Sequence, residues 1–265
     1  MNNEEKKRLF FGMEVFAPWP LKFPSGRVLD ESHRHMTLAF LGNVNFSNLK
    51  TSFPKPSFKV GKVGFFDKTL FLPEKHPHVV SWHVKWLDDV ALLTAYKNEC
   101  FSWLKCQGFS LQEQEEFLPH VTICRSPFDQ KKWEKAFITL PMMVKDIHLY
   151  ESVGKLKYLP IWSYSLKAPF VEIEHTADIA FHVYGENILE LYTHAIAALA
   201  FKFPHIIYFL PDEKNINSVD DIVMSLNQTI CRTDSRIGCP FKAVSFHGNF
   251  IEIEKILKWE MIVDV

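Results

Sequence analysis

The sequence predicts an α+β protein made of two modules, and three observations lead to that prediction. Segments in which apolar residues alternate with period two, as in half-buried strands, recur along the chain between a few segments with helical spacing. The length of 265 residues suits one large domain or two modest ones. Residues 1–168 carry 23 Lys and Arg against 17 Asp and Glu, a net of +6, whereas residues 169–265 carry 7 against 14, a net of −7. We therefore place a module boundary at Lys167-Ala168-Pro169.

The first module, residues 1–168, reads as a series of strands with one clear helix at residues 88–105. In the strand at residues 35–40, period-two alternation should turn Met36, Leu38 and Phe40 toward the core and the residues between them away from it. The strand candidates are residues 9–16, 35–40, 60–66, 79–86, 120–125, 144–152 and 158–166, and a short second helix is expected at residues 133–137.

The second module, residues 169–265, is also predicted to be α+β. Asn187 with Glu190, and Ser218 with Asp221, have the spacing of capping boxes at helix N-termini. We therefore expect helices at residues 187–203 and from residue 218 onward. The strand candidates are residues 171–174, 179–184 and 243–246, residues 250–256, and a last strand that ends at residue 265.

The composition indicates a reduced, cytoplasmic protein. Five cysteines, an odd number with no C-x-x-C pair, fit free thiols better than a disulfide framework. The N-terminus does not resemble a signal peptide, and the most apolar stretch, residues 191–201, contains His194 and ends at Lys202, so we expect no membrane span. The basic module suits an anionic substrate and the acidic module a cation or a protein, although two solvated surfaces would give the same charges.

A very short pattern occurs twice and is the strongest functional signal. The segments His35-Met36-Thr37-Leu38 and His120-Val121-Thr122-Ile123 both read H-x-T-aliphatic, and both lie in strand candidates, 85 residues apart. Residues i and i+2 of a strand share a face, so each motif projects an imidazole and a hydroxyl to one side. Two such strands brought together would make a pocket with two His and two Thr.

These groups suit attack on a phosphodiester. A neutral His accepts the proton of the nucleophile, a protonated His donates one to the leaving oxygen, and the Thr hydroxyls hold the non-bridging oxygens. No metal, other cofactor or covalent intermediate is required. His33-x-His35, and His76-x-His78 with the nearby His83, have the spacing of zinc ligands. Neither pair has an evident third ligand at a matching position, which argues against a zinc site. A Cys124–His120 nucleophile pair would be roughly 13 Å apart along one strand.

The first module resembles the 2H phosphoesterases, named for two H-x-T/S motifs, and in particular their RNA 2′,3′-cyclic phosphodiesterase branch. The resemblance covers about residues 8–166. Arg8-Leu9-Phe10-Phe11-Gly12 is similar to the first strand of that branch, and residues 35–42 and 118–125 are similar to its two signatures. The resemblance implies a bilobal fold of two antiparallel-sheet lobes related by a pseudo-twofold axis, with helices outside and the active site in the cleft.

The resemblance also implies hydrolysis of 2′,3′-cyclic phosphates at RNA 3′ ends to 2′-phosphates. We expect His120 to be the base on water and His35 the acid toward the 3′ oxygen, with Thr37, Thr122 and Arg125 binding the phosphate. The pseudo-symmetry leaves the acid and the base interchangeable. The pocket could also run 2′–5′ ligation, or accept a cyclic nucleotide or an ADP-ribose cyclic phosphate. The alternative is a binding protein and not an enzyme: a non-catalytic RNA-end-binding adaptor or activator of an RNA-splicing ligase.

Residues 170–203 resemble archease, the small protein that activates the RNA-splicing ligase. His175-Thr176-Ala177-Asp178 is similar to the archease H-T-A-D signature, and residues 262–265 are similar to its C-terminal strand. The resemblance implies that Asp264 joins Asp178 in a metal site, and two carboxylates suit Ca²⁺ or Mg²⁺. A shortened archease-like domain at residues 169–265 would link the protein to tRNA splicing through a ligase partner. An inert acidic appendage is the other interpretation.

Overall fold

The computed structural model describes residues 6–45, 52–109, 117–211, 215–245 and 250–265. No helix in these ranges is long and apolar enough to cross a membrane. The elements of the first half are β1 (Lys6–Phe16), β2 (Arg27–Val28), β3 (His35–Asn45), β4 (Lys62–Leu72), β5 (Val79–Trp86), α1 (Ala91–Cys106), β6 (His120–Arg125), α2 (Gln130–Lys135), β7 (Pro141–Gly154) and β8 (Lys157–Ser165). Those of the second half are β9 (Phe170–Ile173), β10 (Ile179–Gly185), α3 (Ile188–Lys202), α4 (Val219–Ile237), β11 (Ala243–Ser245), β12 (Phe250–Ile253) and β13 (Ile256–Asp264).

The strands of the first half are antiparallel and form two groups of four. One group has the order β3-β1-β7-β8, and the other has the order β2-β6-β5-β4. The groups meet at two seams: β4 pairs with β7, and β3 pairs with β6, where Met36 is in register with Val121. The two predicted lobes are therefore halves of one continuous hydrogen-bonded network and not separate sheets.

The prediction that Phe40 faces the core is wrong, because β3 contains a β-bulge. In the pairing with β1, Leu38 is an extra residue between Thr37 and Ala39, each of which has its own partner. The extra residue reverses the alternation, so Leu38 and Ala39 are both buried. Phe40 then turns to the same side as Thr37 and is 45% exposed.

The helix predicted from residue 88 begins three residues later, at Ala91. Asp89 caps the start, since its carboxylate accepts a hydrogen bond from the Ala91 amide at 2.9 Å. Asp88 instead turns into the protein, where it accepts from the Val63 amide at 2.8 Å. The strands predicted at residues 79–86 and 120–125 are observed with those bounds.

The second half is a sheet of order β11-β13-β10-β9, with β12 also paired to β13. Helix α3 packs against β10 and β13, and α4 packs against β11. Ser218 and Asp221 form the complete capping box expected at the start of α4. At α3 only half of the expected capping box forms. The Asn187 side chain accepts from the Glu190 amide, but the Glu190 carboxylate accepts from the amide of Glu186 and not from that of Asn187.

Helix α3 is buried around its whole circumference, because it lies between the two sheets. Every residue from 190 to 200 is buried. The helix packs against β4 and β7 of the first sheet as well as against its own sheet. A helix that is enclosed on all sides needs an almost wholly apolar surface, which explains the run of Ala, Leu and Ile in this segment.

Charged side chains cross the junction between the sheets. Lys62 of β4 is fully buried, and its Nζ is 2.5 Å from Oε1 of Glu190 on α3. Asp88 accepts a 2.5 Å hydrogen bond from the Thr193 hydroxyl and lies 3.2 Å from Nε2 of His194. Burial opposes a charge on His194, but the Asp88 carboxylate prevails and raises its pKa. The buried apolar residues form two clusters, and the cluster of the second half includes Val63 of β4, so the halves share part of their interior across the predicted module boundary.

Candidate active site

The two H-x-T motifs meet at the seam between the lobes. The residues in register, Met36 and Val121, are the central residues of the two motifs. An antiparallel pair has a local twofold axis between its partners, so His35 lies beside Thr122, and Thr37 lies beside His120. The sequence predicted that the motifs come together, and the register adds that each histidine adjoins the threonine of the other motif.

Both motif histidines are held by the same local hydrogen bond. Nδ1 of His35 is 2.8 Å from the carbonyl oxygen of His33, and Nδ1 of His120 is 2.8 Å from that of Leu118. A carbonyl oxygen can only accept, so Nδ1 is the protonated nitrogen of each ring. The neutral ring then presents an unprotonated Nε2, which can accept a proton, and the same atom donates one once the ring is charged.

A bulge in β6 turns Arg125 to the face that carries the second motif. In the pairing with β5, Ile123 is an extra residue between Thr122 and Cys124, each of which has a partner. Ile123 and Cys124 are both buried, and Arg125 returns to the open face. Arg125 is the fifth residue after His120, and Phe40 is the fifth residue after His35. The same bulge in both motifs therefore adds one further residue of each strand to the site.

Five of the residues described so far, His35, Thr37, Phe40, Thr122 and Arg125, line a cavity of about 350 Å³. His120 adjoins this site through the strand register but is not one of the lining residues. Four cationic side chains and no Asp or Glu are present among the described residues of its wall. Sequence analysis missed most of this wall, since Arg27 lies on the two-residue strand β2 and Lys155 lies in the β7–β8 turn. The charged, polar and aromatic side chains of the wall include Arg8, Phe10, Arg27, His35, Thr37, Phe40, Thr122, Arg125, Lys155 and Tyr158.

Burial holds both histidines in the neutral form. It lowers the pKa of His35 to about 4, with the positive charges of Arg125, His33 and His120 acting in the same direction. Burial also lowers the pKa of His120, and a positive charge on His83 acts in the same direction. His35 is buried and His120 is only half-buried. An anion bound in the cavity would raise both values, because an opposite charge favours the protonated ring.

Aromatic rings cause the burial of His35. The ring centroids of Phe10, Tyr150 and Tyr158 lie 4.7, 5.3 and 4.6 Å from that of His35. Phe10 also stacks on Phe40 at 6.2 Å. A second partner of Phe40 is the guanidinium of Arg8, 5.1 Å from the ring centroid. An exposed aromatic shelf with a cation therefore lies at one end of the cavity.

The residues of the predicted metal site lie at one end of the second sheet. Asp178 precedes β10 and Asp264 ends β13, and the register of Ile179 with Val263 makes the two aspartates neighbours. The Asp178 carboxylate lies 3.6 Å from Nδ1 of His175, and that of Asp264 lies 3.8 Å from Nζ of Lys242. In the described ranges no group of three or more His, Cys, Asp or Glu could hold a metal ion. The divalent-ion site stays a prediction.

No protein-family model matches this chain. A Thermotoga maritima protein named RNA 2′,3′-cyclic phosphodiesterase is 30% identical over an alignment of 119 residues, and the match covers 40% of this chain and 57% of the relative. The chain thus spans somewhat more than half the length of this relative.

Solved structures with a similar chain course share less sequence. LigT of E. coli in its apo form is 22% identical, with a TM-score of 0.43 over 62% of this chain and 99% of LigT. A Thermus thermophilus protein is 17% identical, with a TM-score of 0.42 over 61% of this chain and 98% of that protein.

Proposed function

We propose that this protein is a phosphodiesterase of the 2H type, which opens the 2′,3′-cyclic phosphate at RNA 3′ ends and leaves a 2′-phosphate. One observation carries the proposal: the register of Met36 with Val121 sets the His and Thr of one motif against those of the other. The surrounding cations and the absence of acids from the described cavity wall suit a phosphate ester. The sequence similarity to an RNA 2′,3′-cyclic phosphodiesterase supports the same class of substrate.

In the proposed reaction a water oxygen bonds to phosphorus while the bond from phosphorus to the 3′ oxygen breaks. One imidazole takes the water proton and the other protonates the 3′ oxygen. Sequence reasoning gave the base to His120 and the acid to His35. The enclosure of His35 favours the opposite roles, because protonation is more costly for the buried ring. We therefore assign His35 as the base and His120 as the acid.

The remaining lining residues would bind and orient the substrate. The hydroxyls of Thr37 and Thr122 and the guanidinium of Arg125 can hold the non-bridging oxygens, whose charge increases in the transition state. Arg27 lies opposite Arg125 in the pairing of β2 with β6 and adds positive charge. The Phe40 shelf suits the base of the terminal nucleotide.

Two single variants test the proposal. His35→Ala and His120→Ala should each lower kcat for a cyclic-phosphate dinucleotide by about a hundredfold or more, while His76→Ala, in the exposed β4–β5 turn, should not. Turnover should persist in EDTA, because no step uses a metal. Full turnover in both histidine variants would contradict the proposal. Tight binding of the dinucleotide by the unaltered protein without product would instead identify an RNA-end-binding adaptor.

For the second half, we propose the archease-like role that its H-T-A-D segment suggests, with Asp178 and Asp264 as cation ligands. The support is their position at one end of the sheet. Asp178→Ala and Asp264→Ala should leave hydrolysis nearly unchanged. Calorimetric titration of the full chain with Ca²⁺ and Mg²⁺ should give heat that these variants lose. No heat at millimolar ion would remove the metal role.

A further inference from the structure

The strand beside the second motif repeats its polar pattern in the opposite direction. Strand β5 carries Ser81-Trp82-His83, and in the antiparallel register Ser81 lies opposite Thr122 and His83 lies opposite His120. The hydroxyls of Ser81 and Thr122 are 3.4 Å apart. Each polar residue of the motif therefore has a polar neighbour on β5.

A carboxylate holds His83 from the other side. Oδ1 of Asp67 is 2.6 Å from Nδ1 of His83. Asp67 is the extra residue at a bulge of β4. The residue before it, Phe66, is buried, and the residue after it, Lys68, is in register with His83. The carboxylate fixes the proton on Nδ1 and leaves Nε2 on the side away from Asp67. The His83 and Asp67 side chains are 19% and 29% exposed, so water reaches the pair.

The first motif has a different neighbour. Glu14 of β1 lies opposite His35, and its carboxylate is 3.5 Å from Nε2 of His148. The two motifs thus have matching imidazoles and hydroxyls but unlike surroundings. An imidazole–carboxylate pair adjoins each motif histidine, but in opposite order: the imidazole of His83 lies opposite His120, whereas the carboxylate of Glu14 lies opposite His35.

Charged and titratable groups face His83 from three strands. Its own strand carries Lys85, β4 carries Asp67 and Lys68, and β6 carries His120. Burial lowers the pKa of His120, and a positive charge at the position of His83 acts in the same direction.

We propose that His83, held in place by Asp67, is a positioning residue that lies beside His120 and controls the electrostatic surroundings of its ring. The pair makes the two H-x-T motifs chemically unequal although their backbones are alike. Its catalytic meaning rests on the phosphodiesterase function proposed above. His83 acts through His120 and needs no contact with the substrate.

An NMR titration of the full chain without substrate tests the coupling. With ¹³C-labelled histidine, the midpoint of the His120 Cε1–H signal should rise by about 0.5 to 1 pH unit in His83→Gln. His83→Lys places a permanent positive charge at this position and should not raise the midpoint above that of the unaltered protein. His76→Gln, the same change in an exposed turn, is the control. An unchanged midpoint in a folded His83→Gln protein overturns the proposal.

The pH profile of kcat/KM for a cyclic-phosphate dinucleotide gives the catalytic readout. In His83→Gln the limb that belongs to His120 should move to higher pH, while KM changes less than about twofold. Absence of hydrolysis in the unaltered protein would contradict the proposed function, and the NMR titration would still decide the coupling. Hydrolysis with identical profiles and midpoints in both proteins would contradict the positioning role alone.

Discussion

Burial, more than any neighbouring charge, controls the protonation of His35. The ring is 9% exposed and enclosed by three aromatic side chains. Its pKa of about 4 lies below the ordinary value of 6.5. Because the unfolded chain binds this proton more readily, His35 contributes stability that is present above pH 6.5 and is lost as the pH falls toward 4.

This difference can be measured as a change in the free energy of unfolding. Between pH 7 and pH 4, that energy should fall by about 3 kcal/mol more in the unaltered protein than in His35→Asn, which has no proton to take up. Urea titrations at several pH values give both curves. Parallel curves would show that His35 titrates normally in the folded protein.

The exposed ring of Phe40 should contribute to substrate binding and little to folding. Replacement by Ala removes a stacking surface, and stacking of a base on an aromatic ring is worth about 1–3 kcal/mol. We therefore expect Phe40→Ala to raise KM for a cyclic-phosphate dinucleotide about tenfold with a small change in kcat. Phe250→Ala removes a similarly exposed ring from the second sheet and serves as the control. Equal KM values in both variants would exclude the shelf from binding.

Sequence patterns brought out the candidate site residues because a strand fixes which neighbours share a face. The pairing of His35 with Thr37, and of His120 with Thr122, follows from period two alone. Phe40 could not be placed in this way, because a single extra residue reverses the face and nothing in the local sequence marks the bulge.

Among the elements, β5 and β6 were predicted with their observed bounds. Each is a short segment with alternating or continuous apolar residues and clear limits at both ends. The start of α1 was predicted three residues too early. Asp is a residue type that often begins a helix, but Asp88 makes its hydrogen bonds with Val63 and Thr193. The short strand β2 has two residues and no periodicity to detect. Tertiary contacts decide both cases.

The contact of α3 with β4 contains a buried salt bridge whose disruption should be strongly destabilising. Lys62→Met leaves the Glu190 carboxylate without its ammonium partner in a buried place. We expect a loss of about 3–5 kcal/mol in the free energy of unfolding, measured by urea denaturation. Lys7→Met breaks the partly exposed Lys7–Glu151 pair and should cost about 1 kcal/mol or less. Similar losses in the two variants would mean that the Lys62 pair is effectively solvated.

For the whole molecule, the change in charge at residue 168 suggested two modules with separate partners. In the structure, two buried charged residues of the first half find partners in the second half. Lys62 pairs with Glu190, and Asp88 contacts Thr193 and His194. Net charge describes a surface and carries no information about which buried groups pair. That is why the sequence predicted the division of charge but not the shared interior.

The first half of the chain should therefore neither fold nor function when it is produced without the second half. A chain of residues 1–168 would expose the α3-facing side of β4 and β7 and leave Lys62 without its carboxylate partner. We expect this fragment to lack both a cooperative thermal transition and the proposed cyclic-phosphate hydrolysis, whereas the full chain should show both. A folded fragment with the full kcat would show that the second half is dispensable for folding and catalysis.

The seam at Met36 and Val121 also bears on the order of events during folding. It joins strands that lie far apart in the sequence, and such contacts form late because closing long loops is entropically costly. Local hairpins such as β7–β8 can assemble before the two histidines meet. Recovery of the proposed activity after dilution from denaturant should then lag behind recovery of strand content, so the candidate site would report complete folding.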